Sequence, residues 1–265
     1  MNGTALAKEG RLHANRLARH VALLGLASGV SGVLIGGVGG RIVMRVTALA
    51  AGPEMVGRLT ENGNRIGEFT IGGTLILIGF AAASGAIFGS VVVVGSEPWL
   101  RWMGALKGLG FGLAALAAFH ENLFDSFDFL ILEPATLNVG MFVGLFVAFG
   151  LTIPALYWLL DRKLPEAAEH KQPGYLILDA LGLVALFLTV LFFTSPDFCL
   201  CEPTYEIGAL LLVMTASTGI RYGSSVVNAL PDWLTRTASF TGYGSLVLLL
   251  AIGLSRMVDQ IQQIL

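Results

Sequence analysis

Two arginines lie one helical turn apart at the end of a long apolar run. Arg41 and Arg45 directly follow the glycine-rich stretch 36–40. Residues four apart share one face of a helix, and paired guanidinium groups can hold a carboxylate or a phosphate by parallel hydrogen bonds. We predict that they form a cluster of ion pairs, with a bound anion as the alternative. The further candidate members near the same end are Glu61, Glu68, His120, Glu121 and Asp125.

A serine in the first apolar run has the sequence context of an intramembrane protease. Residues 29–32 read Gly-Val-Ser-Gly, but a serine nucleophile needs a histidine base within hydrogen-bond reach. His20 lies at the start of the first apolar run and His120 lies at the end of the third, far from the middle of either run. The two histidines are therefore predicted on opposite sides of the membrane. The same separation argues against a haem held by two histidines. The sequence therefore favours a protein that is not an enzyme, and it predicts no cofactor.

Two ionisable residues fall inside apolar runs. Lys107 and Asp179 both lie near the ends of their runs, on the same predicted side of the membrane. Charged residues within a bilayer are costly and often functional. We predict a structural Lys107–Asp179 pair, because the alternative, a proton relay, would need a second carboxylate deeper in the bilayer.

Both cysteines of the chain lie in one short segment, at positions 199 and 201. A disulfide between Cys199 and Cys201 would close a very small, strained ring. Two thiolates together with His120 could hold zinc or copper, but nothing in the spacing demands a metal. We therefore predict no metal site and keep the two cysteines as candidates.

The composition decides the class of protein. Of 265 residues, 55% are hydrophobic and 13% are charged, and the mean hydropathy is +0.76. A soluble domain usually carries about 25% charged residues, so the excess apolar surface must face lipid. The net charge of −2 gives nucleic acid no electrostatic reason to bind. We predict an all-α, polytopic transmembrane helix bundle.

Seven runs are apolar enough to cross a bilayer, which takes about 20 helical residues. The sixth reaches that length only if Glu206 and Arg221 lie at the two headgroup levels. The largest connection, 41–70, would fold as a small cap on a single transmembrane domain covering 1–265. The predicted spans are 21–40, 71–95, 102–119, 139–160, 174–194, 203–221 and 237–255.

The positive-inside rule gives the orientation. Lysine and arginine are concentrated in the N-terminal segment and in the connections after the second, fourth and sixth runs. This predicts a bacterial plasma-membrane protein with a cytoplasmic N-terminus and a C-terminus outside. The connection 41–70 is the exception, since it carries four arginines on the predicted outer side. Pairing of these arginines with carboxylates would account for it.

Small residues recur every fourth position in the first four runs. Such stripes let helix backbones approach closely in lipid. We predict that the first four spans pack tightly through them and that the last three lie more peripherally. The stripes are Gly25 and Gly29, then Gly32, Gly36 and Gly40; Ala81, Gly85 and Gly89; Gly104, Gly108 and Gly112; and Gly140, Gly144 and Ala148.

The region after the first run resembles a known pattern. The sequences GGRIVMR at 39–45, RLTEN at 58–62 and GEFTIGGT at 67–74 resemble uncharacterised bacterial multi-span membrane proteins of the actinobacterial type. The similarity continues more loosely through the fourth run. It implies a multi-span protein of a bacterial plasma membrane and brings no activity with it.

These observations support two functional hypotheses. The first is a structural or accessory subunit that packs against membrane lipids and against other transmembrane subunits or copies of itself. The second is a small-solute or anion transporter, or a lipid-binding membrane protein, in which Pro154 would break the fourth span and expose backbone groups to a cavity.

Overall fold

A computed structural model shows a chain built from helices. It describes residues 3–59, 65–66, 70–124, 133–164, 180, 184–189, 191–192, 205–226 and 230–265, with the backbone alone at 3–11, 122–124 and 225–226. Within these residues every regular element is a helix, and β pairing is confined to one isolated bridge between Leu59 and Arg65. The all-α prediction is confirmed for this part of the chain.

Four helical stretches are long and apolar enough to cross a membrane, which indicates an integral membrane protein. The predicted sixth run forms the helix Tyr205–Val226, and most of the predicted fifth run lies outside the described residues. The count of seven spans therefore stays a prediction. The four stretches are Leu12–Ala50, Ile71–Glu121, Ala135–Lys163 and Asp232–Ile264.

Eight α-helices carry the described fold. A π-helical segment, Gly32–Gly39, joins α1 to α2, and a second, Gly85–Gly89, joins α3 to α4. Thr70 caps α3 by accepting a hydrogen bond from the Gly73 amide. The helices are α1 (Gly3–Ser31), α2 (Gly40–Ala50), α3 (Ile71–Ser84), α4 (Ser90–Leu100), α5 (Lys107–Phe124), α6 (Ala135–Lys163), α7 (Tyr205–Val226) and α8 (Asp232–Ile264).

Gly104 reverses the chain between α4 and α5. Its φ of 54° and ψ of −118° are not helical, and glycine adopts such a positive φ without a side-chain clash. The two limbs then pack antiparallel, with the rings of Phe88 and Phe119 5.7 Å apart. The prediction that Gly104 belongs to a packing stripe was wrong, because this glycine forms the turn that separates the second and third predicted spans.

The first glycine crossing joins the α1 stretch to the α3 stretch. A β-carbon on Gly32 would lie 2.5 Å from the carbonyl oxygen of Ala81, and one on Gly85 would lie 2.8 Å from that of Ser28. Both π-helical segments occur at this crossing. The predicted contact between the first two stripes is confirmed.

The second glycine crossing joins α5 to α6. A β-carbon on Gly108 would lie 2.9 Å from the Gly150 carbonyl oxygen, and one on Gly150 would overlap the backbone of Gly112. The predicted stripe on α5 therefore packs as expected. On α6, however, a β-carbon on Gly140 or Gly144 would meet none of the described residues within 4 Å, and Gly150, outside the predicted stripe, makes the contact.

Helix α8 lies in the core, so the prediction that the seventh run is peripheral was wrong. Gly253 packs against the backbone of Ala117, and Gly242 packs against the ring of Trp99. These glycines are eleven residues apart, about three helical turns, so a search for spacings of four does not find them. The core includes the fully buried side chains of Trp99, Phe111, Ile153, Leu211 and Leu249.

The helices define two ends of the bundle, named here for one residue each. At the Glu97 end, His20 of α1 contacts Tyr157 of α6 and Tyr222 of α7. At the Glu121 end, the C-terminal part of α8 meets the end of α5 through Arg256. The described start of α1 and the end of α8 therefore lie at opposite ends. Which end faces the cytoplasm stays a prediction.

The connection after the first run begins as helix and closes with a small hydrophobic cluster. Helix α2 carries Arg41 and Arg45 and continues to Ala50, so these arginines lie in the helix and not in a loop. Four apolar residues, one in the last turn of α2 and three after it, bury one another at the Glu121 end, where the small cap was predicted. They are Ala48, Ala51, Met55 and Ile66.

Candidate functional site

A buried carboxylate lies at the end of α4. Glu97 is only 4% exposed, although an isolated charge is expensive to bury. Arg101 Nε donates to both of its oxygens, at 2.9 and 3.0 Å, and the Tyr222 hydroxyl donates to Oε2 at 2.6 Å. One charge partner and one neutral donor thus hold the carboxylate in its ionised form.

His20 connects this carboxylate to two further helices. Its Nε2 lies 3.8 Å from Glu97 Oε2, and its Nδ1 lies 2.7 Å from the hydroxyl oxygen of Tyr157. The network therefore joins α1, α4, α6 and α7 at one point. Beside it, Arg19 forms an ion pair with Asp161, which also fixes α1 to α6.

Trp99 anchors the same region from within the core. Its Nε1 donates to Thr218 Oγ1 at 3.1 Å, and the Thr218 hydroxyl donates to the Gly95 carbonyl oxygen at 2.7 Å. The guanidinium carbon of Arg221 lies 5.5 Å from the centroid of the Trp99 ring, a distance that allows a cation–π attraction. Arg221 also donates to Ser239 Oγ at 3.1 Å, so its position is fixed by two helices.

A cavity of about 550 Å³ opens next to this network, within the range of small-molecule sites. Three arginines and two histidines line it, and among its described lining residues none is acidic. We call it the basic pocket. Its lining residues are His13, Arg16, Leu17, His20, Arg101, Arg221, Tyr222, Ser224 and Thr235.

Helical spacing explains how α1 contributes to the pocket. His13, Arg16, Leu17 and His20 are separated by three, one and three residues, a pattern that places them on one helical face. Arg101 is held by Glu97, its neighbour four positions earlier. Its Nη2 donates to the Tyr222 hydroxyl oxygen at 3.4 Å, and both Arg101 and Tyr222 line the cavity.

The predicted cluster around Arg41 lies at the opposite end of the bundle. Arg41 reaches the first turn of α3, where its Nη2 is 2.9 Å from the position of a β-carbon on Gly73. Arg45 is exposed on α2. Glu61, Glu68 and Asp125 lie outside the described residues, so the predicted pairing of the arginines with these carboxylates stays a prediction.

Glu121 and His120 meet a different arginine. Arg256 of α8 donates to Glu121 Oε1 at 3.3 Å, and its Nη2 lies 3.4 Å from Glu206 Oε1. The imidazole of buried His120 lies 3.8 Å from Glu121 and donates through Nδ1 to the Ala117 carbonyl oxygen. The sequence analysis missed Arg256, which directly follows the predicted span 237–255.

The remaining candidates do not form a described site. Lys107 begins α5 near the Glu97 end, whereas Asp179, Cys199 and Cys201 fall outside the described residues. Among the residues that are described, no group of three or more His, Cys, Asp or Glu could hold a metal ion. Ser31 donates to the Phe149 carbonyl oxygen and contacts the Thr152 hydroxyl, which is a helix-packing role.

Sequence reasoning did not select the residues of the basic pocket. In the sequence, Arg16 is one of the N-terminal positive charges that indicate orientation, and His20 is considered only for the serine-protease and haem sites that are rejected. A local signal was present, since Glu97 and Arg101 are separated by four residues just beyond a charge-free run. Tyr222 carried no signal, because it is distant from Glu97 along the chain.

No protein family, curated protein or solved structure matches this chain. The resemblance to bacterial multi-span membrane proteins therefore stays a prediction, and any functional argument depends on the geometry of the chain itself.

Proposed function

We propose that this protein is an integral membrane protein that binds an anion in the basic pocket. The observation that carries the proposal is the convergence of Arg16 and Arg221, together with Arg101 in its ion pair with Glu97, on one cavity whose described lining contains no acidic residue. Like charges repel one another, so such a cavity is most stable when an anion occupies it. The three arginines come from distant parts of the chain, so the fold assembles the charge.

The buried carboxylate supports binding and not acid–base chemistry. Glu97 is engaged by Arg101 and Tyr222, and a carboxylate held by such donors is a poor proton acceptor. Its role in this proposal is to fix the orientation of Arg101. The pocket lies at one end of the bundle, which suits the binding of a ligand from the membrane surface or the adjoining solution.

A specific surface feature favours a second function, that of a structural or accessory subunit. Gly140 and Gly144 form an exposed small-residue stripe on α6, where an added β-carbon would meet no atom of the described residues within 4 Å. Such stripes pack helices together in lipid. If a partner subunit or a second copy binds there, Gly144→Leu will reduce its co-purification without unfolding the protein, because Gly144 is exposed and an added β-carbon contacts none of the described residues.

Thermal unfolding of the detergent-purified protein tests anion binding. A ligand that binds only the folded state raises the melting temperature in a saturable manner. We expect sulfate or inorganic phosphate to do so at constant ionic strength, and we expect Arg16→Gln or Arg221→Gln to weaken the effect by about tenfold. Arg236→Gln is the matched control, because Arg236 is exposed at the same end but does not line the pocket.

The outcomes separate specific binding from general charge effects. Equal loss in Arg16→Gln and Arg236→Gln would mean that only the total charge of this end matters. Absence of a saturable shift with both anions in the wild-type protein would overturn the proposal.

A further inference from the structure

We infer that the anion held in the basic pocket is a phosphate group, supplied by the headgroup of an anionic phospholipid. This inference rests on the proposed function and names the ligand class. The neighbouring structure supports it through the arrangement of the arginines and through the position of the pocket relative to the exposed tryptophans.

The arginines approach the cavity from different directions. Arg16 lies on α1, Arg101 follows α4 and Arg221 lies near the end of α7. The phosphodiester of a phospholipid has two charged oxygens and two ester oxygens around a tetrahedral phosphorus, so its acceptor atoms point in several directions, whereas the two oxygens of a carboxylate lie in one plane. The planar guanidinium group of arginine can also donate two parallel hydrogen bonds to two phosphate oxygens. A phosphate therefore uses this donor arrangement more fully than a carboxylate does.

Two of these guanidinium groups are fixed by contacts within the protein. The Nε of Arg101 is bound to Glu97, and Arg221 lies over Trp99 and donates to Ser239. Fixed side chains lose little conformational freedom when a ligand binds. The pocket is thus organised before its ligand arrives, and the cavity of about 550 Å³ leaves room for groups attached to the phosphate.

The tryptophans indicate that the pocket lies at the depth of lipid headgroups. The chain has four tryptophans, and all of them lie at the Glu97 end. Trp99 is buried there, whereas Trp102, Trp158 and Trp233 are 75%, 54% and 67% exposed. Exposed tryptophans concentrate at the boundary between hydrocarbon and headgroups.

The exposed tryptophans are close to the pocket residues in sequence. Trp102 follows Arg101 directly, and Trp233 lies two residues before Thr235. The basic pocket is therefore beside the layer in which bilayer phosphates are concentrated. Membrane phospholipid is the phosphate source that this position favours over a soluble phosphate ester.

Lipid retention tests this inference on the full-length protein. The protein is reconstituted in bilayer discs of phosphatidylglycerol and phosphatidylcholine in equal amounts, re-extracted in mild detergent and examined by native mass spectrometry. We expect retained phosphatidylglycerol on the wild-type protein and on Arg236→Gln. We expect about tenfold less on the Arg16→Gln/Arg221→Gln double variant, with folding of every variant checked by its melting temperature.

A second experiment, with a soluble phosphate in place of lipid, distinguishes the source of the phosphate. Glycerol 3-phosphate is added as a soluble probe to lipid-depleted protein. If it stabilises the protein while phosphatidylglycerol is not retained, the lipid source is overturned and anion binding stands. If neither is bound, both proposals fail. Retention of phosphatidylglycerol that is unchanged in the double variant would also overturn the inference, since the lipid would then bind elsewhere.

Discussion

The hydroxyl of Tyr222 donates a hydrogen bond of 2.6 Å to Oε2 of Glu97, a residue 125 positions earlier in the chain, and so joins α7 to α4. The bond satisfies a carboxylate that would otherwise be costly to bury. Arg101, which lines the basic pocket, donates through Nε to both oxygens of the same carboxylate. One side-chain contact thus links the stability of the bundle to the arrangement of its candidate site.

Removing this hydroxyl will destabilise the protein. Tyr222→Phe leaves one carboxylate oxygen of Glu97 without its shortest hydrogen bond, and loss of a partner to a buried charged group costs about 1–3 kcal/mol. Tyr205→Phe on the same helix is the control, because Tyr205 is exposed and we expect its change to be close to neutral. Unfolding followed by circular dichroism measures both, and equal stability of the two variants would contradict the account of Glu97.

Two glycines on α6 will respond in opposite ways to the same substitution. Gly150→Ala places a methyl group against the backbones of Gly108 and Gly112, and overpacking of this kind typically costs about 1–3 kcal/mol. The methyl group of Gly144→Ala contacts none of the described residues, and the substitution gains helix propensity, worth up to about 1 kcal/mol. Melting temperatures in detergent measure both effects. A Gly150→Ala protein as stable as the Gly144→Ala protein would contradict the close packing of α5 against α6.

A second pair tests the central position of α8. Gly253 faces the backbone of Ala117, whereas a β-carbon on Gly244 would meet no atom within 4 Å in the part of the chain that the structure describes. We therefore expect Gly253→Ala to lower the melting temperature and the yield of folded protein, and Gly244→Ala to leave both near wild type. If Gly253→Ala were tolerated equally well, α8 would have to lie farther from α5.

Membrane orientation is tested by labelling engineered cysteines in a Cys199→Ser/Cys201→Ser background. Lys163→Cys, at the Glu97 end, should react with a membrane-impermeant maleimide only after permeabilisation, since the charge distribution predicts a cytoplasmic N-terminus. Leu265→Cys, at the far end of α8, should react in intact cells. The reverse pattern would invert the predicted topology and place the basic pocket outside.

Some of the fold follows directly from local sequence. Gly32 and Gly108 were identified by four-residue spacing, because helix geometry alone brings such residues onto one stripe. Gly104 shares that spacing but forms a turn, since its role depends on the reversal after α4. Gly253 was missed because its partner, Ala117, lies on a helix whose adjacency no local pattern reveals.

The candidate site was harder to predict for the same reason. The Glu97–Arg101 pair is local, and its spacing is visible in the sequence. Tyr222 and His20 join it only through the packing of α7 and α1 on α4. In the sequence, Arg16, Arg101 and Arg221 match the positive-inside rule and nothing more. Only the packing of the helices places them around one cavity.

Direct imaging of the basic pocket in a lipid environment tests the central claim most directly. The measurement is a cryo-electron microscopy map of the protein in bilayer discs that contain phosphatidylglycerol, at a resolution that separates side chains. The account predicts tetrahedral density within hydrogen-bond distance of the terminal nitrogens of Arg101 and of at least one of Arg16 and Arg221. A pocket that contains only water, or whose arginines are all neutralised by carboxylates of the chain itself, would contradict it.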